Sequence, residues 1–282
     1  ISGALLLDTN KKEDLNTFYT KRISKIFIPI IFWTVFYLMW ASLKGTIKGQ
    51  PLSLSDLTAS LLSGTPHYHM WFLYMIATLY LFVPFLRKIV ASSTRKELIV
   101  FSGISLMLSA INDVADIFRP EKTTIFINLF LSYVPYFVIG HLIRTSDRSH
   151  PKKILWAVFL ISSTLTAVGL FVASKKISLE AGMYFYSFLS ATVIPMSISA
   201  ILILKSYSRP IITTNITKKI SALTLGVYLI HPVFLETISR TGYGASDFHP
   251  AISIPLIACI VFGLSLFSAW VISRTPLLSK VI

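Results

Sequence analysis

Long apolar runs separated by short charged clusters dominate the chain, and the length of those runs sets the first reading. About 20 mostly apolar residues cross the ~30 Å of hydrocarbon in a bilayer at ~1.5 Å per residue. Eight stretches meet or approach that length and predict spanning helices over about 26–43, 70–86, 98–112, 123–143, 154–174, 183–204, 220–237 and 252–273. The third is the weakest, because the 15 residues between its flanking charges cover only ~22 Å as a helix. It reaches across only if those charges extend to the headgroups. Backbone groups in lipid have to be satisfied within each segment, and no stretch alternates apolar and polar residues in the ~10-residue strands of a lipid-facing barrel. The predicted fold class is therefore all-α, a polytopic transmembrane helical bundle forming one domain over 1–282, with eight spans visible.

Composition supports the lipid-solvated reading. The chain is 54% hydrophobic and only 13% charged, with a mean hydropathy of +0.71, whereas soluble domains carry roughly 25% charged residues. A net charge of +14 is a common footprint of nucleic-acid binding, but the cations fall in short clusters between apolar runs, so nucleic acid is not an expected partner. Of the 26 Lys and Arg residues, 19 lie in the alternate segments 8–25, 87–97, 144–153, 205–219 and 274–282, and 7 in the others. The positive-inside rule places the first set in the cytoplasm, with the observed C-terminus also cytoplasmic, in a multi-pass membrane protein. All connections between spans are short, so any chemistry belongs within the bundle or at its two faces. The single cysteine, Cys259, excludes a disulfide framework or a cysteine-based metal site within one chain.

Three polar constellations stand out. Phe18-Tyr19-Thr20-Lys21-Arg22-Ile23-Ser24-Lys25 places Lys21, Arg22 and Lys25 before the first visible span, with Arg22 and Lys25 on one helical face. Such a cluster can clamp the phosphates of a cytoplasmic anionic ligand, or serve as a topology anchor on anionic lipid. His67-Tyr68-His69-Met70-Trp71-Phe72 lies at the outer mouth of the second span. It can form an interfacial aromatic belt or, through His69, a general base or substrate-orienting group. Two imidazoles without an acidic partner nearby make a poor metal site, and no metal is expected. Leu225-Gly226-Val227-Tyr228-Leu229-Ile230-His231-Pro232 carries His231 past mid-depth toward the outer face, with Tyr228 three positions before it. An ionisable group inside a membrane is a functional candidate, and a neutral histidine bonded to a neighbouring helix is the alternative. The charge ordering brings His69 and His231 to a similar depth. His141, Asn112 and Asp113 read as interface anchors, and Asn128 and Tyr136 as packing or interhelical hydrogen-bond residues.

In these residues the chain resembles the acyltransferase 3 family of bacterial integral-membrane acyltransferases, and within it the branch containing the enterobacterial common antigen O-acetyltransferase. The resemblance lies in Ile1-Ser2-Gly3-Ala4-Leu5-Leu6-Leu7, the basic Tyr19 to Lys25 segment, His69-Met70-Trp71-Phe72, Leu225 to Pro232 and Arg274-Thr275-Pro276-Leu277-Leu278, in order and spacing. It implies ten spans, of which the first two precede this chain together with the arginine and main catalytic histidine of the family's first span. It also implies transfer of an acetyl or similar acyl group from cytoplasmic acetyl-coenzyme A, a co-substrate rather than a tightly bound cofactor, to a hydroxyl of an envelope glycan or glycolipid. Lys21, Arg22 and Lys25 would then receive the coenzyme A phosphates. Lys25 stands where the family has the second of two paired arginines, and lysine lacks the planar fork that grips phosphate bidentately. His69, Tyr228 and His231 would bind the acceptor, polarise the carbonyl or relay a proton. A polysaccharide exporter or transporter without chemistry is the rival reading, and a non-catalytic scaffold a third.

Overall fold

The computed structural model describes residues 1–9, 13–118, 129–207, 214–242, 244, 249–276 and 278–282, and all regular structure among them is helical. The helices are α1 (Ser2–Leu6), α2 (Leu15–Arg22), α3 (Ile28–Ile47), α4 (Leu54–Leu62), α5 (Trp71–Ser92), α6 (Arg95–Ala115), α7 (Leu129–Arg144), α8 (Lys152–Lys176), α9 (Leu179–Tyr184), α10 (Val193–Lys205), α11 (Thr214–Ser239) and α12 (Pro250–Arg274). A π-turn at Ile23–Phe27 joins α2 to α3 without a break, and a short 3₁₀ turn at Leu278–Val281 follows α12. Six helical segments among the described residues are long and apolar enough to cross a membrane: Leu15–Ile47, Trp71–Ser92, Arg95–Ala115, Lys152–Lys176, Asn215–Ser239 and Pro250–Arg274.

Each of the six overlaps one expected span and takes in charged residues that flank it at one end or both. The doubtful third span shows why. Thr94 caps α6 in a reciprocal capping box with Glu97, which satisfies two otherwise orphaned donors and starts the helix at Arg95 rather than after the charges. The resulting 21 residues reach about 31 Å.

Two expected spans come out differently. For 123–143, residues 123–128, with Asn128, lie outside the described residues, and α7 forms the described remainder. The stretch 183–204 is not one helix. It divides into α9, turns over 185–192, and the 13 residues of α10. The cause is a concentration of hydroxyls that bond locally to backbone. Ser190 Oγ accepts the Val193 N–H at 3.2 Å, the Tyr184 hydroxyl accepts the Ala191 N–H at 3.1 Å, and the Phe188 carbonyl accepts the Tyr136 hydroxyl at 2.8 Å. Hydropathy alone does not register that competition.

The chain forms two units, residues 1–13 with 78–209, and residues 14–77 with 210–282. In the first, α1 packs on α7, α6 on α7, and α8 on both α9 and α10. Asp113 accepts the Ser187 hydroxyl, tying α6 to the 185–192 turns. His141 is buried on α7.

In the second unit α11 packs on α12 and the 3₁₀ turn lies against α3. Helix α3 is apolar all round, yet beyond Pro29 in its first turn only Ile30, Trp33, Thr34 and Tyr37 are buried while Ile31, Phe32, Val35 and Met39 are exposed. The i, i+3, i+4, i+7 spacing of the buried set gives one protein-facing stripe on a helix whose remaining surface suits lipid. The core of this unit combines that stripe with Met70, Leu73 and Ala77 of the α5 region, Leu229 and Ile230 of α11, and Ala269 of α12. The Trp33 indole donates to the Val281 carbonyl at 2.8 Å.

Candidate active site

All residues of the candidate site belong to the second unit. Three pieces of local structure position them. The first is the end of α4, where Gly64 adopts φ +69°. Its N–H bonds the Leu61 carbonyl at 3.0 Å and the Thr65 N–H bonds the Ser60 carbonyl at 3.0 Å, a Schellman closure that needs a residue able to enter the left-handed region. The chain turns there into Pro66-His67-Tyr68-His69-Met70. His67 and His69 are buried and Tyr68, between them, is exposed.

The second piece is Pro232 in α11. Proline has no N–H, so the carbonyl of residue i−4, here Tyr228, loses its helical donor. The His231 ring fills that gap, with Nδ1–H donating to the Tyr228 carbonyl at 2.7 Å. One helical turn thus fixes the ring and leaves Nε2 of neutral His231 as an acceptor. The next carbonyl, of Leu229, accepts the hydroxyl of fully buried Tyr37 at 2.6 Å. The third piece is the C-terminal half of α3, which supplies Tyr37, Trp40 and Lys44 in one row at i, i+3 and i+7.

These pieces converge. The His69 ring lies 5.2 Å from the Tyr228 ring and 5.3 Å from the His231 ring, centroid to centroid, and the Tyr228 hydroxyl donates to the His69 carbonyl. The three residues singled out in the sequence therefore form one cluster. The structure adds partners that the sequence reading passed over. His67 bonds His69, Nδ1 to Nδ1, at 3.1 Å, and its Nε2 lies 2.8 Å from Glu236 Oε1. Glu236 also accepts from Lys44 Nζ at 2.8 Å and from the Trp40 indole at 3.0 Å. The Tyr37 ring lies 4.4 Å from the His67 ring, centroid to centroid, at a tilt of 31°. A signal for Glu236 was available: a lone carboxylate inside the 220–237 stretch is costly in a membrane without a partner, and Lys44 is a cation at the same expected face.

Burial in this apolar setting disfavours the charged imidazolium. It holds His69 down at about 3, with the neighbouring His231 and His67 adding to the effect. His67 is also lowered by burial, against an opposing pull from the Glu236 carboxylate. Both rings are neutral at rest near pH 7. Nε2 of His69 is buried and makes no hydrogen bond. The Leu229 carbonyl, which accepts the Tyr37 hydroxyl and has a second lone pair, also lies near that ring. A bare imidazole nitrogen beside two further polar rings can accept a proton from a hydroxyl. Among the described residues no set of three or more His, Cys, Asp or Glu side chains converges as metal ligands.

Lys21, Arg22 and Lys25 lie on the same continuous helix as Tyr37. Sixteen residues separate Lys21 from Tyr37, about 24 Å along the axis. The Ile28 N–H bonds the Ile23 carbonyl, an i→i+5 bond that widens the turn holding Lys25. The turn that carries Lys25 is thus wider than the α-helical turn expected for the i, i+3 pair Arg22 and Lys25. Arg22 folds back over the Phe18 ring at 4.9 Å, while Lys21 and Lys25 are exposed.

In comparisons with known proteins, the family model described as an acyltransferase domain, of the acyltransferase 3 family, matches residues 1–274. Searches of curated proteins and of solved structures gave no significant match.

Proposed function

We propose, from the premise that the chain belongs to this acyltransferase family, that it is a multi-pass membrane O-acyltransferase moving an acetyl group from cytoplasmic acetyl-coenzyme A to a hydroxyl of an envelope polysaccharide or glycolipid. The observation that carries the reading is the unbonded Nε2 of buried His69, set beside Tyr228 and His231. Lys21, Arg22 and Lys25 receive the phosphates of the donor at the cytoplasmic end of the helix, and the thioester reaches toward the histidines. The acceptor hydroxyl gives up its proton as its oxygen attacks the acyl carbon, with His69, Tyr228 and His231 binding the acceptor, polarising the carbonyl or relaying that proton, and the carbon–sulfur bond breaks to release coenzyme A as a thiolate that regains a proton. His231 offers Nε2 to the acceptor. The protein lies in the bacterial inner membrane with its C-terminus in the cytoplasm, as the uneven distribution of Lys and Arg supports.

Full-length protein in lipid nanodiscs, given acetyl-coenzyme A labelled in the acetyl group and an envelope glycan preparation, tests this reading. Label on the glycan with matching release of free coenzyme A is the expected result. Movement of the glycan with no consumption of acetyl-coenzyme A would establish an exporter instead.

A further inference from the structure

The last four carbonyls of a helix have no donor within it and carry the negative end of its dipole. At the C-terminus of α7 each of the four has found a donor. The Thr145 N–H and hydroxyl both donate to the His141 carbonyl at 2.9 Å. Arg95 Nη1, from the first turn of α6, donates to the Leu142 carbonyl at 3.2 Å. Lys205 Nζ, at the end of α10, donates to the carbonyls of Ile143 and Arg144 and, at 2.7 Å, to that of Ser146 in the turn that follows. Two cations from neighbouring helices thus offset the negative helix end and fix the course of the chain leaving it.

That chain and α6 border a surface cavity of about 370 Å³, lined by Arg95, Thr145, Ser146, Asp147 and Arg148. Other arginines of this unit are matched by acids, Arg87 lying 3.7 Å from Glu13 and Arg144 3.6 Å from Asp8. Arg95 and Arg148 differ. Among the described residues neither forms an ion pair, with Asp147 or with any other acid, and the Arg148 guanidinium makes no hydrogen bond. A guanidinium has five N–H donors, of which Arg95 uses one on α7. Ser146 Oγ accepts the Arg148 backbone N–H at 3.3 Å, which leaves its own hydrogen for a ligand. Two guanidinium groups around one cavity repel each other, and an anion between them relieves that repulsion. Phosphate matches the donors, because the planar fork of arginine binds its oxygens in pairs.

We propose that this cavity is a phosphate-binding site, in which Arg95 and Arg148 hold one phosphate group with the Ser146 hydroxyl as a further donor. It lies in the first unit and does not depend on the acyl-transfer reading of the histidine cluster. Both arginines belong to the Lys- and Arg-rich segments 87–97 and 144–153, which the positive-inside rule assigns to the cytoplasm. A phospholipid headgroup of that leaflet and a soluble phosphate share the required chemistry. One turn into α6 from Arg95, Ile99 and Val100 are 52% and 56% exposed. This apolar strip beside a cationic headgroup site favours the lipid.

Full-length protein in uncharged detergent micelles, titrated separately with phosphatidylglycerol and with inorganic phosphate and read by ³¹P NMR, tests the site. A background of Lys21→Gln, Arg22→Gln and Lys25→Gln removes the other cationic cluster from the measurement. Phosphatidylglycerol is expected to bind, and Arg148→Gln to weaken its binding roughly 5-fold, the effect of one cation at a membrane surface. Arg95→Gln should do the same, and the two together roughly 30-fold. Asp147→Asn removes the acid of the lining and should tighten binding. Lys96→Gln deletes an equal charge from the same turn of α6 outside the lining, and should leave the affinity within about 2-fold of wild type. Arg95→Gln also costs α7 a donor, whereas the Arg148 side chain holds no other group, so Arg148→Gln decides the matter if Arg95→Gln fails to fold. Binding of inorganic phosphate without phosphatidylglycerol would assign the same site to a soluble phosphate. Affinity unmoved by Arg148→Gln, a loss in Lys96→Gln as large as in Arg148→Gln, or no binding of either probe would overturn the site.

Discussion

A single residue type, proline, does much to organise the site at residue scale. Pro232 removes the donor that Tyr228 would have used, and the His231 ring takes that carbonyl instead. Pro232→Ala restores a backbone N–H that competes for the Tyr228 carbonyl and frees the imidazole. It is expected to raise the melting temperature, since proline in a helix interior costs about 3 kcal/mol relative to alanine. It is also expected to lower acyl transfer by roughly 10-fold to 10²-fold through misplacement of the ring. Thermal melts and initial rates on the same preparation check both halves, and full activity would remove His231 orientation from the account.

The residue scale also shows what was legible in the sequence. His69, Tyr228 and His231 were identifiable because each is a polar group that lipid would otherwise penalise. Glu236 and Lys44 sit among the flanking charges that define where a span ends, so a reading based on span boundaries counts them as topology. The row Tyr37, Trp40 and Lys44 looks like an ordinary interfacial end of a helix until its partner on α11 is known.

Among the elements, hydropathy located the six long helices but not their ends or interruptions. Helix ends depend on caps such as Thr94 with Glu97, and the break over 185–192 depends on hydroxyls bonding to backbone. The π-turn at Ile23–Phe27 is a matter of one extra residue in a turn and leaves no mark in composition. Close helix contacts were equally hidden. In the first unit, α1 meets α7 where Gly3 lies against the backbone of Phe137, and a Cβ on Gly3 would fall 1.8 Å from the Phe137 carbonyl oxygen. Small residues allow such approach between membrane helices. Gly3→Ala is expected to force α1 off α7 and destabilise the unit by about 1–3 kcal/mol. Gly103→Ala, inside α6 where a Cβ meets nothing within 4 Å, should leave the melt unchanged or raise it slightly, since alanine is the better helix former. Equal melting temperatures for the two variants would contradict the contact.

For the whole molecule, one continuous helix carries both the cationic cluster and, about 24 Å along its axis from Lys21, Tyr37, whose ring lies against the buried histidines. Sequence gave access to both clusters through charge and hydropathy, while the chemistry between the rings depends on side chains from three separate segments, 37–44, 67–69 and 228–236. The family match over residues 1–274 makes acyl transfer the reaction class, and the account locates it at His69. The most direct measurement is the rate of labelled acetyl transfer to envelope glycan by full-length His69→Ala and His231→Ala proteins that retain the wild-type melt. The account predicts a loss of roughly 10²–10⁴-fold for His69→Ala, the range that a positioned side chain moving a proton in the transition state supplies, and a smaller loss for His231→Ala. Undiminished turnover in both would contradict it.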